Sequence, residues 1–213
     1  GAVIVQAPKD AELCLINTCS VTAKADRDAN KLIRQIMRDN PYCRLVVTGC
    51  YAMASSAKIK ESFPQAQIIF KPDLGKTLFG EDLDWTVKHH EGKTRAFVKI
   101  QDGCDNFCSY CIVPYTRPLK TSKPKQIALA EIQNLIKNGY KEIVLTGINI
   151  GNYRCPQSGA DLADLLGEVF KIEGDFRIRF SSIEINTVTD KLIQTAASGG
   201  EKFCDYLHLP LQS

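Results

Sequence analysis

The chain has 213 residues, 44% hydrophobic and 24% charged, which is ordinary for a globular fold and long enough for one large or two small domains. No run of 18 or more apolar residues appears, so no membrane-spanning helix is expected, and the first residues carry no basic region or cleavage site of a secretory signal. The net charge of +3 is too small to identify a polyanionic partner, but nine cysteines in a chain without a secretory signal favour metal over a disulfide framework.

Residues 11–16 read as a strand. Apolar residues at Ala25, Ala29, Leu32, Ile33, Ile36 and Met37 then recur at helical spacing over 24–40, where Asn40-Pro41 stops the helix. A second strand is expected over 44–48, a helix over 52–63 and a third strand over 66–70. This βαβαβ order implies a parallel sheet. Residues 71–94 are irregular, with Pro72, Gly75, Gly80 and an acidic cluster. They suggest a link between two domains, placed at 81–94 between an N-terminal domain of 1–80 and a second of 95–213.

From Arg95 the alternation resumes. Strands are expected over 96–100, 142–146, 177–183 and 206–211, with helices over 126–138, 161–172 and 190–197. Gly139 stands where a helix C-cap glycine belongs and Asp161 where an N-cap belongs. Repeated βα units fit a barrel or a doubly wound sheet, and four strands are too few to close a barrel. The fold class expected is therefore α/β, a parallel-sheet domain followed by a partial (βα) barrel.

Directly after the first strand of the second half comes Gly103, then Cys104, Cys108 and Cys111 at CxxxCxxC spacing. Three thiolates on one short loop fit a corner of an iron–sulfur cubane. A complete structural set has four ligands, so three leave one iron open to a substrate. Zinc and plain buried cysteines are the other readings. Zinc sites usually pair one CxxC with a second pair or with histidines, whereas Cys155 and Cys204 stand alone.

Function in parallel α/β folds gathers at the C-terminal ends of strands. There the chain turns polar: Gly147 and Asn149 after the second strand, Ser182 and Glu184 after the third, His208, Gln212 and Ser213 at the fourth. Such a rim suits the amino, carboxylate and ribose groups of S-adenosylmethionine, and each strand end also reads as an ordinary turn. Cys19 and Cys50 follow the first two strands of the N-terminal sheet, so their thiols converge on one edge. They read equally as a shared ligand site or as two separate thiols. Cys14 and Cys43 read as structural. From 117 to 125 there are four cations and no acid, a solvated face or a contact for phosphates.

Several stretches together resemble the methylthiotransferases, a radical-SAM family: NTCS at 17–20, TGCYA at 48–52, DGCDNFCSYCIVPYTR at 102–117, LTGINIG at 145–151, SSIE at 181–184 and LHLPLQS at 207–213. VTAKADR at 21–27 and SSIE look most like the MtaB branch. The resemblance covers essentially the whole chain and makes its second domain an incomplete radical-SAM barrel of four βα units.

The resemblance implies a 4Fe–4S cluster on Cys104, Cys108 and Cys111, whose open iron binds S-adenosylmethionine and passes it an electron, with Tyr110 part of the same pattern. The resulting 5′-deoxyadenosyl radical takes hydrogen from adenine C2. A second 4Fe–4S cluster, with Cys19 and Cys50 matching two of its three ligands, supplies or relays sulfur, and a second S-adenosylmethionine gives the methyl group. The implied substrate is N6-threonylcarbamoyladenosine beside the tRNA anticodon. Isopentenyladenosine and a ribosomal-protein aspartate are the substrates of neighbouring branches, and a non-catalytic iron–sulfur or zinc RNA-binding protein is the alternative of another class. A cytoplasmic location and an electron donor of unstated identity go with this reading, which leaves the oligomeric state open. The third ligand of the second cluster, the last barrel strands and a C-terminal RNA-binding domain are expected outside these residues. After Arg117 the chain has Pro118-Leu-Lys where relatives usually have a glycine and another arginine.

Overall fold

The computed structural model describes residues 3–81, 86–89 and 92–212. Parts of the expected link, 82–85 and 90–91, and Ser213 at the polar rim lie outside the described residues. The chain forms two compact units, Gly1–Asp84 with Asn106–Pro118, and Trp85–Asp105 with Leu119–Ser213.

The first unit is a three-stranded parallel sheet, β1 (Leu13–Thr18), β2 (Arg44–Gly49) and β3 (Gln67–Ile68), in that order. Thr22 caps α1 (Ala23–Asp39) by accepting the Ala25 amide, and the buried face of that helix carries Ala29, Ile33 and Ile36. These side chains pack on Cys14, Ile16, Leu45 and Val47 of the sheet. β1 alternates strictly between exposed and buried residues, so only one of its faces is covered. The helix expected over 52–63 is two helices, α2 (Cys50–Ala54) and α3 (Ser56–Ser62), because Ser55 leaves helical geometry at φ −131°, ψ 30°. The strand expected over 66–70 shrinks to the two residues of β3. On the opposite face of the sheet, α4 (Leu74–Phe79) brings Leu74 against Val46 and Ile69. The inserted segment adds α5 (Val113–Thr116), which packs with α2.

The second unit is built on β4 (Arg95–Asp102), β6 (Glu142–Gly147) and β7 (Arg177–Phe180), all parallel, with the two-residue β5 (Thr121–Ser122) antiparallel on the outer edge of β4. α6 (Lys125–Lys137) ends in a Schellman motif: Gly139, at φ 89°, donates to Ile136 and Tyr140 donates to Leu135. α7 (Leu162–Phe170) starts on a capping box of Asp161 and Asp164. Both helices bury apolar faces, Ile132 and Leu135 from α6 and Leu165, Leu166 and Val169 from α7, against Ile143, Leu145, Ile178 and Phe180. α8 (Asp190–Ser198) packs on α7.

The fourth barrel strand expected over 206–211 does not form. The segment's backbone bonds towards β7 are those of the Cys204 amide to Ile178 O, just before the segment, and of the Ile183 amide to His208 O, just past β7, while the Arg179 guanidinium lies over the Tyr206 ring. Between those points Tyr206 donates to Cys204 O in a tight turn, and Pro210 has no N–H to offer a ladder. The described barrel therefore contains three parallel strands rather than four.

Candidate functional site

The cysteine loop begins with an irregularity in β4. Lys99 pairs with Thr146 and Gln101 with Gly147, so Ile100 is an extra residue. Strict alternation would turn Gln101 outward; the bulge turns it inward beside Ile100, and it is only 3% exposed. Its amide is fully used. Nε2 donates to the carbonyls of Asp102 (2.9 Å) and Gly103 (2.7 Å), and Oε1 accepts the Asn149 amide at 2.8 Å.

Gly103 adopts φ 78°, with its amide held by Asp102 Oδ1, and releases the loop from the sheet. Cys104 follows. Asp105 pairs with Lys120, which holds its carboxyl below the usual carboxylate range. Phe107 is left-handed at φ 48°, uncommon for a bulky residue, and its ring stands edge-on to Tyr115 at 5.8 Å. A turn in which Cys111 donates to Cys108 O (2.9 Å) leads into α5. Cys104, Cys108 and Cys111 are all free and half-buried, and Tyr110 is exposed.

Such a donor set, soft thiols on one short loop, fits an iron–sulfur cluster by type and spacing. Among the described residues no three His, Cys, Asp or Glu side chains are gathered as a ready metal cage. The three thiols lie on one loop without being drawn together.

At the C-terminal edge of β6 and β7, Gly147 lies so close to β4 that a Cβ there would sit 2.7 Å from Gln101 O. Asn149 is 2% exposed, and neither its side-chain Nδ2 nor its Oδ1 has a partner in the protein. Ser181 Oγ is likewise buried without a partner. Orphaned polar atoms of this kind are rare in folded proteins because each costs free energy. Ser182 Oγ lies 2.6 Å from His208 Nδ1, and Glu184 accepts from Gln212 Nε2, Gln212 being held at φ 58°. The sheet thus brings Gly147, Asn149, Ser182 and Glu184 to one edge, and the irregular tail returns Gln212 to Glu184. Sequence reasoning missed Gln101, whose only signal was an amide among the apolar residues of a strand one step before the loop.

In the first unit, Thr18 and Gly49 are register partners, and Cys19 and Cys50 are the next residues along each strand. Thr18 Oγ1 donates to Thr48 O (2.6 Å) and accepts the Ala52 amide (3.1 Å), capping α2 from the neighbouring strand. Gly49 needs its φ of 96°, and a Cβ there would meet Thr18 O at 2.2 Å. Cys19 is exposed and Cys50 half-buried at the first position of α2. Cys14 is buried in the sheet, where burial and then the neighbouring Cys43 thiol push its pKa up to about 11. That state is the reverse of a ready ligand.

The remaining cysteines behave differently from one another. Burial raises the Cys204 thiol, whereas Cys155 is lowered to about 6 by the Ser158 hydroxyl and by backbone amides, including Lys125 at the start of α6. In the basic stretch, Lys120 is committed to Asp105 and Lys123 to the buried carboxylate of Glu131.

A thiol loop that follows the first strand of a partial parallel barrel, whose later strands end in unmatched polar atoms, defines a cofactor-binding α/β protein. The chain belongs to the Radical SAM superfamily, whose sequence pattern matches residues 98–213, and residues 1–71 match the Uncharacterized protein family UPF0004. It is 40% identical to the threonylcarbamoyladenosine tRNA methylthiotransferase MtaB of Chlamydia pneumoniae, over 95% of this chain and 49% of that protein. It is 36% identical to MtaB of Bacillus subtilis (strain 168), over 95% and 50%. The tRNA-2-methylthio-N(6)-dimethylallyladenosine synthase of Carboxydothermus hydrogenoformans is 34% identical, over 96% and 52%. The chain spans about half the length of these relatives. In fold it is similar to the cobalamin-dependent S-adenosylmethionine radical enzyme OxsB, with a TM-score of 0.61 at 14% identity, over 95% of this chain and 35% of that one. No helix among the described residues is long and apolar enough to cross a membrane.

Proposed function

We propose that the chain belongs to a tRNA methylthiotransferase and carries its cluster loop and cofactor rim, the whole enzyme adding a methylthio group to C2 of N6-threonylcarbamoyladenosine beside the anticodon. The observation that carries this reading is that the residues opening the CxxxCxxC loop, Asp102 and Gly103, are tied through Gln101 to a rim whose buried Asn149 side chain has no partner in the protein. Cys104, Cys108 and Cys111 hold the 4Fe–4S cluster that binds S-adenosylmethionine; Cys19 and Cys50 contribute to a second. When bound, these groups supply the one-electron chemistry that activates a C–H bond and the sulfur and methyl to be transferred.

The protein's own part is to bind and orient. Asn149 offers one acceptor and two donors, the pattern that an ammonium and a carboxylate both need. Ser182 and Glu184 suit ribose hydroxyls, Gln212 steadies Glu184, Gly147 lets β4 and β6 close up beneath the rim, and Tyr110 flanks the third thiolate. tRNA is the macromolecular partner, and an electron donor supplies reducing equivalents.

The threonylcarbamoyl substrate is favoured by the 40% and 36% identical relatives named for it, against 34% for the one named for the dimethylallyl nucleoside. Mass spectrometry of tRNA nucleosides from cells with and without the gene tests this. Loss of the methylthio form of threonylcarbamoyladenosine alone is the expected result. Loss of the dimethylallyl form instead moves the assignment to the other substrate, and no change in either rejects a tRNA methylthiotransferase.

A further inference from the structure

We propose that Gln101 is a positioning residue that locks the backbone leading into Cys104 to the backbone of Asn149, so that a cluster ligand and the cofactor rim are held as one piece. The inference rests on the function proposed above for the meaning of those two sites, and on the structure alone for the lock.

Three observations converge. The bulge at Ile100 turns Gln101 inward, where a polar side chain is costly unless every hydrogen bond is made. All of them are made, and to only two places: the Asp102 and Gly103 carbonyls at the mouth of the cysteine loop, and the Asn149 amide beyond β6. Gly147 then lets the strands approach at that level, since a side chain there would strike Gln101 O at 2.7 Å. A buried leucine at 101 would pack as well in an apolar core. An amide is needed only if those main-chain groups must be fixed in place. By satisfying the Asn149 N–H, Gln101 also sets the turn that leaves the Asn149 side chain buried and unmatched.

The test is backbone amide exchange on the metal-free whole protein, wild type against Gln101→Leu and Gln101→Glu, at a pH well above the carboxyl range. Gln101→Leu is expected to speed exchange about tenfold at Asn149, whose amide loses its acceptor, and at Gly103, whose amide bond to Asp102 Oδ1 loosens once the carbonyls around it are no longer held. Gln101→Glu keeps an acceptor for Asn149 but offers no hydrogen to Gly103. It is expected to leave Asn149 protected while Gly103 exchanges about tenfold faster. This split is what a filler of space would not produce, and Gln101→Glu decides the matter if the leucine variant fails to fold. Unchanged exchange at Gly103, or an equal rise throughout β4, β6 and β7, overturns the proposal.

In protein reconstituted with iron and sulfide, a chelator should bleach the triad's cluster about tenfold faster in Gln101→Glu than in wild type. Equal bleaching also counts against the lock. Wild-type protein that takes up no iron rejects the radical-SAM reading, and the exchange pattern still decides the role of Gln101.

Discussion

Thr18 and Gly49 face each other across β1 and β2 with no space between them: a Cβ on Gly49 would lie 2.2 Å from the Thr18 carbonyl oxygen. The contact fixes the stagger of the two strand ends, and with it the placing of Cys19 and Cys50. Gly49→Ala must shift backbone and also adopt φ 96°, so a loss of roughly 2–4 kcal/mol in the first unit is expected from strain and displaced pairing. Denaturant melting measures it. Thr18→Val, which keeps the shape but not the cap on Ala52, should cost about 1 kcal/mol, and a neutral Gly49→Ala would show that the strand ends slide freely.

The three loop thiols are expected to act as a set. Cys108→Ala in the whole protein should remove roughly four irons per chain and all cleavage of S-adenosylmethionine, while Cys155→Ala keeps both. Iron analysis and detection of 5′-deoxyadenosine read the two. Cleavage at the normal rate by Cys108→Ala would remove the loop from the chemistry.

Cys155 should titrate within the physiological range. Its thiolate is held by the Ser158 hydroxyl and the Lys125 amide, so its folded pKa of about 6 lies below the ordinary thiol value. A depressed acid contributes stability that is present above the unfolded pKa and is lost as pH falls through the folded one. Wild type should therefore gain stability over Cys155→Ser as pH rises from about 6 towards the thiol range, and thiolate absorbance missing from the serine variant should appear near pH 6. A midpoint above 8 would mean that burial outweighs the donors.

Lys123 belongs to the fold rather than to a binding face. Its partner Glu131 has a fully buried carboxylate that also accepts the Val87 amide, so Lys123→Ala leaves a buried charge unpaired, at a cost of about 3 kcal/mol. The pair Lys123→Met with Glu131→Gln should recover most of it in thermal melts. Lys120 and its partner Asp105 are both about half exposed, so Lys120→Ala should leave stability nearly unchanged. If Lys120 meets a phosphate, that variant flattens the salt dependence of tRNA binding by a log–log slope of about one. An unchanged slope identifies a solvated face.

Periodic signals carried the fold well where an element makes its own case. The stripe from Ala25 to Met37 placed α1 within a residue at each end, and Gly139 and Asp161 cap α6 and α7 as their chemistry suggests. Signals failed where tertiary contacts decide. The apolar run over 52–63 hides the break at Ser55, because the start of α2 is set by Gly49 and by a hydroxyl from the neighbouring strand. The run over 206–211 reads as a strand although Pro210 and the turn at Cys204 deny it a ladder. In the site, thiol spacing drew attention to the loop, and the placing of Cys19 and Cys50 just past paired strand ends followed from parallel strands alone. Gln101 escaped notice because its importance comes from a bulge, and a one-residue change of register leaves no trace in composition or period.

The unmatched amide of Asn149 also bears on how much of this protein a cell contains. Two buried side-chain atoms that no protein group satisfies weigh against folding, by roughly 1–3 kcal/mol for such a group. Any molecule that satisfies them only in the native state returns that deficit and adds RT ln(1 + [L]/Kd) to the folding free energy. Proteolysis draws on the unfolded fraction, so the chain's lifetime becomes tied to the supply of whatever fills the rim.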